Sequence, residues 1–222
     1  QAAINPDINP MVLANPISSD LSAMRTSLWP GLLKTALYNL NRQQPRLRLF
    51  ETGLVYIKND AGLQQQPRIA GLICGDSLPE QWGEAARKVD FFDIKGDLEA
   101  LLAQTSGDIT FESMPHPALH PGQSARIHIN GVAAGWVGAL HPQVHKTLDI
   151  DAPVYLFELD QQPILAADVP VFASLSKFPE VRRDIAILVS QEILAASISS
   201  EIRAAGSNIL KEVTLFDVYT GK

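Results

Sequence analysis

The architecture of this chain is set by the stretch Ala125-Arg-Ile-His-Ile-Asn130-Gly131-Val-Ala-Ala-Gly-Trp-Val137. Its Asn-Gly pair separates two runs that contain mainly apolar and β-branched residues. Asn-Gly favours the type I′ turn, whose twist matches that of two antiparallel strands. The sequence therefore predicts a β-hairpin that turns at Asn130 and Gly131.

More strands and helices are predicted on both sides of this hairpin. Runs typical of strands cover residues 49–57, 69–74, 109–112 and 154–159. Apolar residues recur at helical spacing over residues 30–42, 92–107 and 142–148. The predicted fold class is therefore α+β, with a mainly antiparallel sheet flanked by helices.

The last part of the chain has a pattern of its own. Residues 161–170, with prolines near both ends, predict a linker. A strand over residues 184–189, a helix that Gly206 ends and a strand over residues 212–219 then follow. This β-α-β order predicts one half of a ferredoxin-like domain, with a sheet edge that still needs a partner strand.

Composition limits the classes of function. The chain has 222 residues, a formal charge of −6 and one cysteine, Cys74, which excludes an intrachain disulfide and predicts a buried thiol. The sequence contains no run long and apolar enough for a membrane span and no signal peptide, so a cytoplasmic location is expected. The acidic balance argues against general nucleic-acid affinity. Because the first residue is not Met, we expect a piece of a longer protein.

Two histidine pairs have the four-residue spacing of metal ligands on a helix: His116 with His120, and His141 with His145. Prolines within both pairs oppose a continuous helix through either of them. The sequence therefore predicts no metal site.

No other group of residues predicts catalysis or cofactor binding. Three glycines fall on the hairpin, where they cannot form a phosphate loop: Gly131, Gly135 and Gly138. Three carboxylates are predicted on a solvated helix face: Asp93, Asp97 and Glu99. Three serines lack the Gly-x-Ser-x-Gly context of a nucleophile: Ser27, Ser124 and Ser176.

One compact basic cluster, Lys177, Arg182 and Arg183, precedes the first strand of the predicted half-domain. Such a cluster is usually solvated surface, but it is also the chemistry that contacts phosphates. Composition alone leaves both interpretations open.

Five motifs stand in a fixed order: Met24-Arg-Thr-Ser-Leu-Trp-Pro-Gly-Leu-Leu33, Leu49-Phe-Glu-Thr-Gly-Leu-Val55, Phe91-Phe-Asp-Ile-Lys-Gly-Asp-Leu-Glu99, Gly138-Ala-Leu-His-Pro142 and Ser176-Lys-Phe-Pro-Glu-Val-Arg-Arg-Asp-Ile185. Their order and spacing resemble the β subunit of bacterial phenylalanyl-tRNA synthetase. The resemblance implies a class II synthetase-like module over residues 1–160, a linker over 161–170 and the N-terminal half of a ferredoxin-fold anticodon-binding domain over 171–222.

The resemblance also implies that this module is catalytically inactive. Class II enzymes hold ATP with an arginine of their second motif, but the matching run here is Ile57-Lys58-Asn59. The third motif should be glycine-rich with a second arginine, whereas Val154-Tyr-Leu-Phe-Glu-Leu-Asp-Gln-Gln162 has neither. Since charge stabilisation dominates adenylate chemistry, we expect no catalytic residues in this chain.

The function implied by the resemblance is structural and tRNA-binding. The partners would be the α subunit, in an (αβ)₂ assembly, and tRNA(Phe). ATP and Mg²⁺ would serve the complete phenylalanine-tRNA ligase, with no cofactor bound by this chain. Lys177, Arg182 and Arg183 are the candidate tRNA contacts, and the helix that starts near Pro30 supplies the candidate interface, namely Trp29, Leu33, Leu37 and Tyr38.

Two other functions stay open on the sequence alone. One is a stand-alone ATP-dependent ligase, which would require ATP binding by this chain. The other is a regulatory module that binds a small molecule and pairs its half-domain with a second copy. Dimer formation induced by an amino acid would favour that hypothesis.

Overall fold

The computed structural model describes residues 4–6, 8–59, 62–103, 105, 107–165, 172, 177–206 and 209–221. The chain divides into two compact units, Gln1–Pro170 and Val171–Lys222. Among the described residues, no helix combines the length and the apolar character needed to cross a membrane.

The first unit is built on one six-stranded sheet. Its strands are β1 (Leu47–Asn59), β2 (Gly62–Cys74), β3 (Ile109–Ser113), β4 (Leu119–Ile129), β5 (Val132–Leu140) and β6 (Val154–Asp160). The spatial order is β1-β2-β6-β5-β4-β3, and every neighbouring pair is antiparallel. The predicted antiparallel sheet is confirmed, and β6 joins the two halves that the chain builds separately.

The predicted hairpin is also confirmed. Asn130 and Gly131 connect β4 to β5 with φ angles of 53° and 74°. A type I′ turn requires positive φ at both central positions, which these two residue types tolerate. The turn therefore fixes the register in which β4 pairs with β5.

Helices lie on both faces of the sheet. They are α1 (Trp29–Leu40), α2 (Phe91–Leu102), α3 (Pro142–Leu148) and α4 (Gln161–Leu165). Leu32 and Ala36 of α1 pack in one apolar core, and Ile94 and Leu98 of α2 pack in another. β6 serves both cores because its side chains alternate.

A capping box starts α2, and this corrects one expectation. The Asp90 side chain accepts hydrogen bonds from the backbone N–H groups of Phe92 and Asp93, while the Asp93 side chain accepts one from the Asp90 N–H. Asp93 also pairs with Arg87 at 2.7 Å, and its side chain is only 10% exposed. Asp93 therefore stabilises the helix terminus instead of lying on a solvated face.

The prediction of a buried thiol is confirmed, whereas the prediction of a linker is wrong for its first five residues. Cys74 ends β2 with its side chain fully buried, and burial raises its pKa to about 11, so the expectation is confirmed. Residues 161–165, expected in a linker, continue from β6 as α4. Residues 166–170 lie outside the described residues.

The second unit contains the predicted helix without the predicted strands. The helix α5 covers Ala195–Ala205, but residues 184–189 and 212–219 are not paired in a ladder within the described residues. Both segments leave apolar side chains exposed, including Leu188 and Phe216. In a split β-α-β unit the two strands are not neighbours, because a strand of the second half lies between them. Neither segment can therefore satisfy the backbone of the other.

Candidate functional site

A buried carboxylate joins α1 to the centre of the sheet. Glu158 of β6 is 5% exposed, and its Oε1 accepts a hydrogen bond of 2.7 Å from the Leu28 N–H. Arg68 of β2 lies 3.4 Å from Oε2. Burial raises the pKa of Glu158, while Arg68, the Leu28 N–H and the Ser27 hydroxyl oppose that shift. The carboxylate thus holds the N-terminus of α1 in place.

Two tryptophans enclose a histidine beside this carboxylate. The Trp29 indole donates a 2.9 Å hydrogen bond to the Phe157 carbonyl. The His116 ring lies edge-on to Trp29, with centroids 5.3 Å apart, and 4.8 Å from the Trp136 centroid. Burial lowers the pKa of His116 to about 4, so the imidazole is neutral at neutral pH and packs as an aromatic ring.

None of the four paired histidines is free to bind a metal through Nδ1. The Nδ1 atoms of His116, His120 and His141 accept backbone hydrogen bonds of 3.1 Å from the residue two positions later. His145 Nδ1 lies 3.0 Å from the Ile150 carbonyl oxygen. Across the described part of the chain, no three His, Cys, Asp or Glu side chains are grouped as metal ligands would be.

The candidate nucleophiles have structural surroundings. Ser27 and Ser124 are buried. Ser27 Oγ accepts from the Trp29 N–H at 3.1 Å, and Ser124 Oγ donates to the Met114 carbonyl at 2.7 Å. Ser27 also hydrogen-bonds the Glu158 carboxylate, but both side chains are buried, so no substrate can reach this hydroxyl. Ser176 lies outside the described residues.

The structure divides the candidate interface residues into two groups. Trp29 and Leu33 are 1% and 2% exposed and pack in the core of this chain. Side chains this deeply buried have no surface to offer a partner, which corrects the sequence-based choice. Tyr38 is 56% exposed, with the Arg42 guanidinium 3.4 Å from its ring centroid, and Leu37 is half-buried.

The candidate tRNA contacts are accessible. Lys177, Arg182 and Arg183 are all exposed. Arg182 Nε lies 3.8 Å from Asp184 Oδ1, and an Arg183 Nη1 donates to the Arg182 carbonyl at 3.4 Å. An exposed pair of this kind contributes little to stability, so both guanidinium groups can turn toward a phosphate.

Two segments were aligned above with the nucleotide-binding motifs, residues 57–59 and residues 154–162, and both include the end of a strand. Ile57-Lys58-Asn59 closes β1, and Lys58 is exposed there. β6 runs directly into α4, a strand-to-helix order. Neither segment contains an arginine.

Comparisons with known proteins give the same assignment for both units. The family model described as phenylalanyl tRNA synthetase beta chain CLM domain matches residues 2–161. The model of the ferredoxin-fold anticodon binding domain matches residues 176–222.

Individual relatives extend over the whole chain. It is 49% identical over 222 residues to the phenylalanine–tRNA ligase beta subunit of Methylococcus capsulatus. This alignment covers 100% of this chain and 28% of the relative. The same subunit of Pseudomonas fluorescens is 49% identical over 220 residues, covering 98% and 28%. That of Hahella chejuensis is 48% identical over 219 residues, covering 99% and 28%.

The chain therefore spans about 28% of the length of these relatives. The order of motifs, the antiparallel sheet that carries them and the two family models in sequence all agree. On this evidence the chain belongs to the phenylalanyl-tRNA synthetase beta chain family.

Proposed function

We propose that residues 1–160 form a catalytically inactive, class II synthetase-like module that packs on the α subunit of phenylalanyl-tRNA synthetase. The membership in the beta chain family supports the α subunit as partner. The observation that carries the inactive part of the proposal is the absence of arginine from the end of β1 and from the β6–α4 junction. An adenylate-forming site needs cationic groups aimed at the triphosphate. The complete enzyme would ligate phenylalanine to tRNA(Phe) in the cytoplasm with ATP and Mg²⁺, and the adenylate would form on α.

The surroundings of Glu158 support a structural role for the sheet. The Leu28 N–H and Arg68, two partners of this buried carboxylate, fix α1 against β2 and β6. A rigid α1 would present a defined outer surface. Tyr38 and Leu37 on that surface are the residues that we propose for contact with α, in an (αβ)₂ assembly.

We also propose that residues 171–222 are the N-terminal half of a domain that contacts tRNA. The exposed basic residues Lys177, Arg182 and Arg183 support this part of the proposal. They lie in a chain of net charge −6, so a local cluster is needed for any phosphate contact.

Replacing Arg182 and Arg183 with alanine in the complete holoenzyme should weaken tRNA(Phe) binding. Each phosphate contact that is lost should also lower the salt slope of the binding constant by about 1. Filter binding over a series of salt concentrations measures both effects. The matched control is Arg203→Ala with Lys211→Ala, which removes the same charge from other exposed positions of this unit. An unchanged affinity in the first variant would remove the basis for the tRNA role.

A further inference from the structure

A cavity of about 330 Å³ opens on the face of the sheet that α1 covers. Trp136 and Glu158 line it from β5 and β6, and Pro117 lies beside them. The N-terminal residues Asn5, Pro6 and Ile8 also line it. The volume is at the small end of the range for ligand pockets, about 300–1,000 Å³.

Arg126 is the unusual group of this cavity. Its guanidinium carbon lies 4.7 Å from the Trp136 ring centroid. The Arg126 guanidinium forms no hydrogen bond and no ion pair with any residue that the structure describes. Burial lowers the pKa of Arg126, and the charge of the Asp160 carboxylate opposes that shift. A guanidinium stays charged at neutral pH and offers a planar fork of N–H donors. The fork of Arg126 is therefore available to an acceptor from outside the chain.

The other charged side chains of the lining are paired with one another. Arg68 is shared between Glu158 and Asp160, at 3.4 and 3.1 Å. Asn5 donates to the Thr26 hydroxyl at 3.4 Å, and His116 Nδ1 accepts from the Ala118 N–H at 3.1 Å. The Nε of Arg68 forms no hydrogen bond, although both carboxylates neutralise its charge. A ligand would thus meet in Arg126 a cation without an ion pair, beside groups whose charges are already paired.

The charges around Arg126 favour an anion with a single negative charge. Glu158 and Asp160 both line the cavity, so a polyphosphate would be repelled by two carboxylates. A single carboxylate matches the one free guanidinium and can accept two parallel N–H bonds from it. The apolar part of the lining includes the two tryptophans, Trp29 and Trp136, and the two prolines, Pro6 and Pro117. Such a surface suits a flat apolar body.

We propose that this cavity binds a small organic carboxylate, whose carboxyl group pairs with Arg126 and whose apolar part packs on Trp136 and Pro117. This site is independent of the scaffold role, because neither packing on α nor contact with tRNA requires it. It gives the inactive module a ligand of its own.

Tryptophan fluorescence tests the proposal on the chain as it stands. The chain has three tryptophans, and Trp82 is fully exposed, so a Trp82→Phe background leaves Trp29 and Trp136 at the cavity as reporters. Titration with 3-phenylpropanoate up to about 10 mM, ten times a weak millimolar Kd, should give a saturable change. L-Phenylalanine and AMP are the comparison probes, a zwitterion and a phosphate.

Arg126→Gln should weaken binding of 3-phenylpropanoate by about tenfold or more, since a charge-assisted pair is lost. The matched control Arg48→Gln, which removes the partner of Asp97 from β1, should leave the affinity unchanged. Tighter binding of L-phenylalanine would identify a zwitterion as the source of the carboxylate and support the site. The absence of saturation with both carboxylates in the unmutated cavity, tighter binding of AMP, or full affinity in a folded Arg126→Gln variant would each overturn the proposal.

Discussion

Glu158→Ala should lower the free energy of unfolding of this chain by about 2–4 kcal/mol. The substitution leaves the buried Leu28 N–H without its acceptor and removes one of the two carboxylates that Arg68 contacts. An orphaned donor in the core keeps its desolvation cost. The N-terminus of α1 should therefore be held to β6 less firmly, through the Trp29 indole alone of the two hydrogen bonds described above. Urea unfolding followed by circular dichroism measures the loss.

The matched control is Glu158→Gln, which keeps an acceptor oxygen without a buried charge. Because the pKa of Glu158 is raised in the folded chain, the stability linked to this shift is fully present below the ordinary value of 4.5. It is lost as the pH rises through the folded-state pKa. Glu158→Gln should thus cost the most in acid and the least near pH 7. Equal losses for Ala and Gln at neutral pH would contradict this account of the carboxylate.

Gly75→Ala should be at least as damaging, with a loss of about 3 kcal/mol or more, or failure to fold. Gly75 follows β2 with a φ of 90°, and an added Cβ would lie 1.7 Å from the Pro45 carbonyl oxygen. A backbone atom cannot move aside as a side chain does. The start of β1 would have to separate from the end of β2, which thermal unfolding would reveal as a large drop in Tm.

Gly131→Ala is the matched control for Gly75→Ala, because it introduces the strain of a positive φ without a steric clash. Gly131 has a φ of 74°, but nothing lies within 4 Å of its added Cβ. Its cost should be limited to the backbone term of about 1–2 kcal/mol. Similar losses at both positions would mean that the approach of Pro45 is not the cause.

The sheet could be predicted because its signals are local. Asn130-Gly131 sets the hairpin, and β-branched runs mark the strands on both sides. The central place of β6 could not be predicted, since its pairing with β2 joins residues about ninety positions apart, such as Arg68 and Asp160. One sign of the buried site was visible, because Glu158 is the only charge within the apolar run of residues 154–159.

The other differences between prediction and structure also arise from contacts between residues far apart in the sequence. Helical periodicity identified the apolar positions of α1 but not what covers them, so Trp29 and Leu33 were assigned to a partner although the sheet of this chain buries them. The strand patterns over residues 184–189 and 212–219 are genuine propensities. A strand also needs a neighbour for its backbone groups, and propensity cannot supply one.

The cavity around Arg126 had no counterpart in the sequence. Arg126 and Trp136 are cross-strand partners in the predicted hairpin, but Glu158 of β6 and the N-terminal residues reach the cavity only through the folded sheet. Each of these residues is ordinary in its own segment, and Arg126 in particular alternates with the apolar residues of β4 as any surface strand residue does. The lack of a partner for Arg126 becomes visible only in three dimensions.

The central claim is that this module acts by packing on an α subunit, and the most direct measurement is co-purification of the chain with a bacterial phenylalanyl-tRNA synthetase α subunit. Size-exclusion chromatography with light scattering then gives the mass of the complex. We expect a stable complex that Tyr38→Ala with Leu37→Ala weakens and that binds ATP no better than α alone. A folded chain that stays separate from α, or that binds ATP by itself, would contradict the account.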